Sequence, residues 1–142
     1  MTETTAAAGL ELIQRALAAT EAGDVEAMLA CLADDAVVEL PFAQPNAPAS
    51  MDKRALGRMI GFLVQTFDRR RFVIDRVFEP ADGRTLIVEY HSEFTASAPG
   101  VDYANRYIAV YEFREGLITL WREYANPVVF ERAMAAIKGA ST

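Results

Sequence analysis

The sequence predicts an α+β fold with helices first and strands last. Three observations carry this. Apolar residues recur at helical spacing as far as Phe67. From Arg71 the apolar period shortens to two. The strand-like stretches are joined by short, turn-rich connections, which predicts antiparallel pairing. A strongly twisted sheet folded over helices encloses a conical hollow. The expected architecture is therefore three N-terminal helices packed in a curved antiparallel sheet, with a short C-terminal helix to follow.

Each element has its own signals. Leu10, Ile13 and Leu17 mark the first helix, and Gly23 stops it. Asp24 is placed as the N-cap of a second helix whose stripe is Val25, Met28, Leu29 and Leu32. Asp34 and Asp35 break that stripe, and Ala36–Phe42 reads as a short strand. The prolines of Gln44-Pro45-Asn46-Ala47-Pro48 predict a loop over a cavity mouth. A third helix covers Lys53–Phe67, and its Gly57 and Gly61 predict close packing. Arg69-Arg70-Arg71 follows as a solvated cationic end, the sign that suits a helix C-terminus. Strands are expected at Phe72–Phe78, Thr85–Ala96, Asn105–Phe113 and Leu117–Tyr124. A tight Arg114-Glu115-Gly116 hairpin joins the last two, and Asn126-Pro127 opens the final helix.

Composition removes several function classes. The 142 residues suffice for one domain, 1–142, that buries a substantial core. A net charge of -6 argues against tracking nucleic-acid phosphates or docking on anionic lipid. One Cys rules out an intrachain disulfide and multi-Cys zinc sites, and one His leaves no His pair for a metal. No metal or cofactor is expected. Met1–Ala8 lacks a charged-then-apolar leader pattern and no apolar run reaches membrane-span length, so the expectation is a cytoplasmic protein. Cys31 reads as a small buried hydrophobe.

Three stretches carry a family resemblance. They are Leu32-Ala33-Asp34-Asp35-Ala36-Val37-Val38-Glu39-Leu40-Pro41, Asn105–Gly116, and Trp121-Arg122-Glu123-Tyr124-Ala125-Asn126-Pro127. In this order they resemble the NTF2-like superfamily, in its ketosteroid isomerase-like and SnoaL-like branch. The resemblance covers nearly the whole chain and implies the cone. It does not imply steroid isomerisation. That chemistry uses a Tyr, an Asp base and a protonated Asp, and the matching positions here hold Ala16, Leu40 and Ala109. The Arg-Glu-aromatic-x-Asn-Pro stretch also resembles the phenazine-pathway A/B proteins. In those proteins the Glu is an acid/base, which points to Glu123.

Alternation then assigns faces. Thr119, Trp121, Glu123 and Ala125 share the inner face, and Ile118, Leu120, Arg122 and Tyr124 the outer. The inner sets on the neighbouring strands are Asn105, Tyr107, Ala109 and Tyr111, and Val88, Tyr90, Ser92 and Phe94. A carboxylate among aromatic walls loses hydration, so its pKa rises toward neutrality. The expected catalytic residues are Glu123, moving a proton, and Tyr107, holding an oxygen with Tyr90 as the alternative. Trp121, Asn105, Tyr90, Tyr111, Ser92, Val38 and Leu40 are expected to line the ligand site. Glu123 can equally orient a ligand, pair with Asn105 or Arg106, or sit at a solvated rim. The ligand would be a small apolar or aromatic molecule, met either by a cofactor-independent isomerase, cyclase or hydratase or by a non-catalytic carrier or accessory domain. His91 is placed outside, on an apolar face with Ile108, Val110, Ile118 and Leu120 that predicts a homodimer; the alternative is a pocket base beside Glu123 if the strand parity shifts by one.

Overall fold

The computed structural model describes residues 4–43, 49–98 and 100–140. In chain order it holds α1 (Ala6–Glu21), α2 (Val25–Leu29), β1 (Leu32–Glu39), β2 (Ser50–Met51) and α3 (Lys53–Thr66). Then come β3 (Arg69–Phe78), β4 (Thr85–Thr95), β5 (Asp102–Arg114), β6 (Leu117–Ala125) and α4 (Pro127–Ala140). The strands form a single curved, unclosed sheet in the order β2-β1-β6-β5-β4-β3. The proline-rich segment 44–48 expected to cover a cavity mouth lies outside the described residues.

Side chains that accept from orphan helix N–H groups begin each helix. Thr5, Asp24 and Asp52 accept from Ala8, Ala27 and Ala55 at 3.1, 3.0 and 2.8 Å. Asn126 Oδ1 accepts from the Val128 N–H at 3.0 Å, as the Asn-Pro pair predicts. The β5–β6 hairpin turns at Glu115 and Gly116, whose φ values of 52° and 77° give the mirror-image turn that matches strand twist.

Four features depart from the sequence expectation. The strand predicted from Ala36 to Phe42 begins at Leu32 and ends at Glu39, so Asp34 and Asp35 lie within it. Both are exposed and tied to cations, Asp34 to Lys53 at 3.3 Å and Asp35 to Arg114 at 2.7 Å. They occupy a register shift between Leu32 and Val37, where charge can leave the pleat. Second, β1 pairs with β6 in parallel, because α3 and β3–β5 intervene before the chain returns to that edge. Third, the short β2 opposite Val38 and Glu39 carries no alternating pattern that could announce it. Fourth, a shift in the β5–β6 register next to Phe113 turns Ile118 inward, where it is fully buried. Leu120 and Trp121 nonetheless keep their expected parity. Gly57 fits its packing role, since a Cβ there would meet Leu29 at 3.0 Å, whereas Gly61 has open space.

One main core lies between the helices and the inner sheet face, with Leu12, Ile13, Met28, Leu56 and Ile60 against Val88, Tyr90 and Tyr111. A smaller cluster under α4 joins Phe67, Phe94, Val101, Tyr103 and Ala133. Cys31 is buried, its thiol 3.6 Å from the Ala27 carbonyl and pushed above its ordinary pKa by burial.

Arg70 locks the helices to the sheet. The sequence predicts a solvated cation here; instead the guanidinium is half-buried. Its Nε donates to Thr20 O at 2.9 Å and one terminal nitrogen to Glu21 O at 3.1 Å, which closes α1. The other nitrogen donates to Val64 O at 3.2 Å and to Phe67 O, which closes α3. One planar cation thus satisfies the orphan carbonyls of two helix ends and opposes both dipoles. Gly23 admits it: its φ is +77°, and a Cβ there would stand 3.1 Å from the guanidinium. Glu21 completes the joint by accepting from the Phe72 N–H at 2.8 Å. Arg70→Ala is expected to cost about 2–4 kcal/mol, as hydrogen bonds to a charged group predict. Arg70→Lys should recover only part of it, because an ammonium lacks the fork. The midpoint of urea unfolding measures both.

Candidate functional site

Three strands build the site from one face. On β4 the buried residues are Leu86, Val88, Tyr90, Ser92 and Phe94; on β5 they are Tyr103, Asn105, Tyr107, Ala109 and Tyr111. Glu89, His91 and Glu93 point the other way, and His91 Nδ1 lies 2.8 Å from Asp75 Oδ2 on the outer face. Residue pairing then stacks two rows. Val88, Ala109 and Glu123 stand side by side across β4, β5 and β6, and Tyr90, Tyr107 and Ala125 form the next row.

Glu123 is the centre of the first row. The Tyr90 hydroxyl donates to Glu123 Oε1 from two strands away. Trp121 Nε1 donates to the same oxygen at 3.3 Å. Tyr90 reaches it diagonally from the neighbouring row, past Ala109, which stands beside Glu123 and projects only a methyl group. Burial pushes the Glu123 carboxyl from its ordinary 4.5 up to about 8. It nonetheless keeps partial solvent contact. Oε2 has no hydrogen-bond partner among the described residues.

Tyr107 belongs to a second network. Its ring stacks on Tyr90 at 4.6 Å between centroids. Its hydroxyl lies 2.8 Å from Ser92 Oγ and 3.2 Å from the Tyr103 hydroxyl. Asn105 Nδ2 donates to Tyr103 at 2.8 Å and to the Asn126 carbonyl at 3.1 Å. The Asn105 N–H donates to Ser92 Oγ at 3.3 Å. Burial raises the pKa of Tyr103, Tyr107 and Tyr111 alike, so all three stay neutral donors.

The remaining expected site residues take different places. Tyr111 is fully buried, its ring 5.5 Å from that of Trp121. Val38 is buried on β1 opposite Trp121, and Leu40, just past the strand, is half-buried against the core. The structure therefore joins Glu123, Tyr90 and Trp121 in one cluster and Tyr107, Ser92 and Asn105 in another. Tyr103 escaped the sequence reading because the strand was expected to begin at Asn105; it shares the parity of the chosen residues, so a strand begun at Asp102 exposes it. Neither Asn105 nor Arg106 pairs with Glu123.

Two open grooves lie elsewhere. One of about 500 Å³ sits at the outer face, lined by Phe42, Glu89, Arg106, Ile108, Tyr124 and Pro127 among others. The other, about 320 Å³, lies at the start of α3 beside Leu29, Asp34 and Lys53. Neither is lined by Glu123. Tyr107, Ala125 and Asn126 also line the outer groove, whereas Tyr90 and Trp121 do not.

Comparison with known proteins agrees with this architecture. An uncharacterised PhzA/B-like protein of Pseudomonas aeruginosa is 27% identical over 134 residues, covering 92% of this chain and 93% of its own. A Bacillus subtilis protein provisionally described as an isomerase superposes with a TM-score of 0.81 at 26% identity, covering 90% of this chain and 93% of that one. TerC, solved with polyporic acid, superposes with a TM-score of 0.72 at 15% identity over 90% of this chain and 98% of its own. The model of the SnoaL-like domain matches residues 13–121. With that stretch and the helix-then-sheet cone in place, the chain belongs to the SnoaL-like domain family.

Proposed function

We propose that this protein takes up a small, mostly apolar or aromatic molecule against the inner sheet face and moves a proton on it with Glu123. The observation that carries this reading is one carboxyl held on an aromatic face by two donors to a single oxygen, Tyr90 and Trp121. With Oε1 taken by both donors, Oε2 is the oxygen free to meet a ligand. A carboxyl with a pKa near 8 can give a proton at neutral pH and recover it, which suits an isomerase, cyclase or hydratase step without a cofactor. Half-buried Leu40, Met59, Leu63 and Phe72 pack against the same core and supply apolar contact. The polyporic acid of TerC supports an aromatic ligand on this fold.

A carrier is the second reading. Close packing of Tyr90 and Trp121 around Glu123 favours it, since both hold the carboxyl without a substrate. Solvent-deuterium incorporation into small ring ketones, followed by NMR, separates the two. Under the catalytic reading the protein accelerates exchange and Glu123→Gln lowers the rate by about 10²–10⁴-fold with binding retained. Unaccelerated exchange with intact binding leaves the carrier.

Titration gives an independent check. Between pH 4.5 and about 8 folded Glu123 keeps a proton that the unfolded chain has released. Its contribution to stability is therefore complete below the unfolded pKa and is lost as pH rises through the folded one. The melting temperature of the wild type should fall relative to Glu123→Gln from pH 5 to pH 9. A constant difference across that range would place Glu123 in bulk water.

We also propose a homodimer through the outer sheet face. Ile108, Val37 and Phe42 are exposed there at 41%, 39% and 55%, beside the half-buried Tyr124. The Arg122–Glu39 pair at 2.6 Å lies among them. Such a mixed apolar and charged surface supports an interface there. Sedimentation should give about twice the 15.6 kDa chain mass, and Ile108→Glu should return the monomer.

A further inference from the structure

A Glu side chain does not by itself tell its two oxygens apart. Its last torsion is broad and two-fold, so a carboxyl held by nothing exchanges them freely. The strands beside Glu123 do little to prevent this. On one side Ala109 pairs with it and offers only a methyl group. On the other, β1 ends at Glu39, opposite Arg122, so no residue of β1 pairs with Glu123. Hydrogen bonding alone separates the oxygens. Tyr90 and Trp121 both donate to Oε1, and Oε2 has no partner among the described residues.

The two donors differ in kind. A phenol can turn its proton to another acceptor, and its oxygen can itself accept. An indole N–H only donates, along a direction fixed by the ring. The Trp121 ring is well held. It is buried and lies 5.5 Å from the ring of Tyr111, and its backbone pairs with Val38 on one side and Tyr111 on the other. It also stands two residues before Glu123 on the same strand face, so indole and carboxyl are neighbours. Its Nε1 makes no other hydrogen bond among the described residues. A buried donor needs its acceptor in both charge states of the carboxyl. Oε1 meets that need as the carbonyl oxygen of the acid and as one oxygen of the anion. The proton then belongs on Oε2.

We propose that Trp121 is a positioning residue for Glu123, whose indole N–H keeps Oε1 an acceptor throughout, so that the carboxyl takes up and gives back its proton at Oε2 alone. This rests on the reading that Glu123 moves a proton, and it deepens that reading by naming the oxygen that does so and the residue that selects it. The sequence places Trp121 as a wall of the ligand site; the geometry has it act through the carboxyl instead. A ligand must then bring its reacting atom to the side of Glu123 turned away from both donors.

Trp121 is the only tryptophan, so an analogue supplied in its place during expression alters this site alone. Benzothienylalanine keeps the bicyclic shape and puts sulfur where the N–H was; a fluorotryptophan, which keeps the N–H, controls for incorporation. Infrared difference spectra read the carboxyl. At about pH 6 ordinary carboxyls are ionised, so a protonated carbonyl band that Glu123→Gln abolishes belongs to Glu123. Loss of the N–H should move that band to higher frequency, because its carbonyl oxygen has lost a donor. The titration midpoint of the band should rise by about 0.5–1 pH, because a donor stabilises the anion more than the acid. The fluorotryptophan protein should match the wild type in both. Trp121→Phe should repeat both changes if the analogue protein lacks a cooperative melt. A band or a midpoint that stays put without the N–H would overturn the positioning role and leave Glu123 a raised carboxyl. Absence of the band from the wild type would instead overturn the proton-moving reading of Glu123, and the positioning role with it.

Discussion

The small side chain of Ala109 is the constraint on which the candidate site depends. Strands in a sheet stand about 4.8 Å apart, so Tyr90 on β4 and Glu123 on β6 are separated by the whole width of β5. The phenol crosses diagonally from the Tyr107 row to the Ala109 row, and a small residue beside the carboxyl leaves it room. Ala109 is fully buried and pairs with both Val88 and Glu123. The same position is where the resemblance to steroid isomerases would put a polar acid. Here the acid stands one strand over, and the alanine makes room for its partner.

The rest of the molecule keeps that face of the sheet in place. Helices α1 and α3 fill the concave side with apolar residues, and their C-terminal ends converge on Arg70. A cation at this junction fixes two helix ends against β3 with one rigid group, which a pair of independent caps could not do. The inner face can then carry polar hydroxyls and a carboxyl, because enough apolar burial surrounds them and the hydroxyls of Tyr90, Ser92, Tyr103 and Tyr107 and Glu123 Oε1 all find partners.

Much of this was legible in the residues. The change of apolar period after Phe67, the Gly and Asn-Pro punctuation and the alternation of β4 and β5 placed the strands and their inner faces correctly. Glu123 stood out because it is the one carboxylate on that face of the last strand. Features that depend on long-range pairing were not legible. The parallel partnership of β1 with β6 leaves no local mark, and neither does the register shift that turns Ile118 inward. Arg70 looked like its neighbours Arg69 and Arg71, since only the folded chain brings the Thr20 and Glu21 carbonyls to it. Which tyrosine meets Glu123 could not be read from parity, because Tyr90 and Tyr107 share it.

The bond from the Phe72 N–H to Glu21 has a consequence for solution behaviour. β3 is the outermost strand of its side of the sheet, and its free backbone groups are a ready template for a strand from another molecule. A carboxylate seated on one of those N–H groups takes away a rung that an incoming strand would need and places negative charge in its path. The group that ties a helix to the sheet therefore also discourages aggregation along that margin.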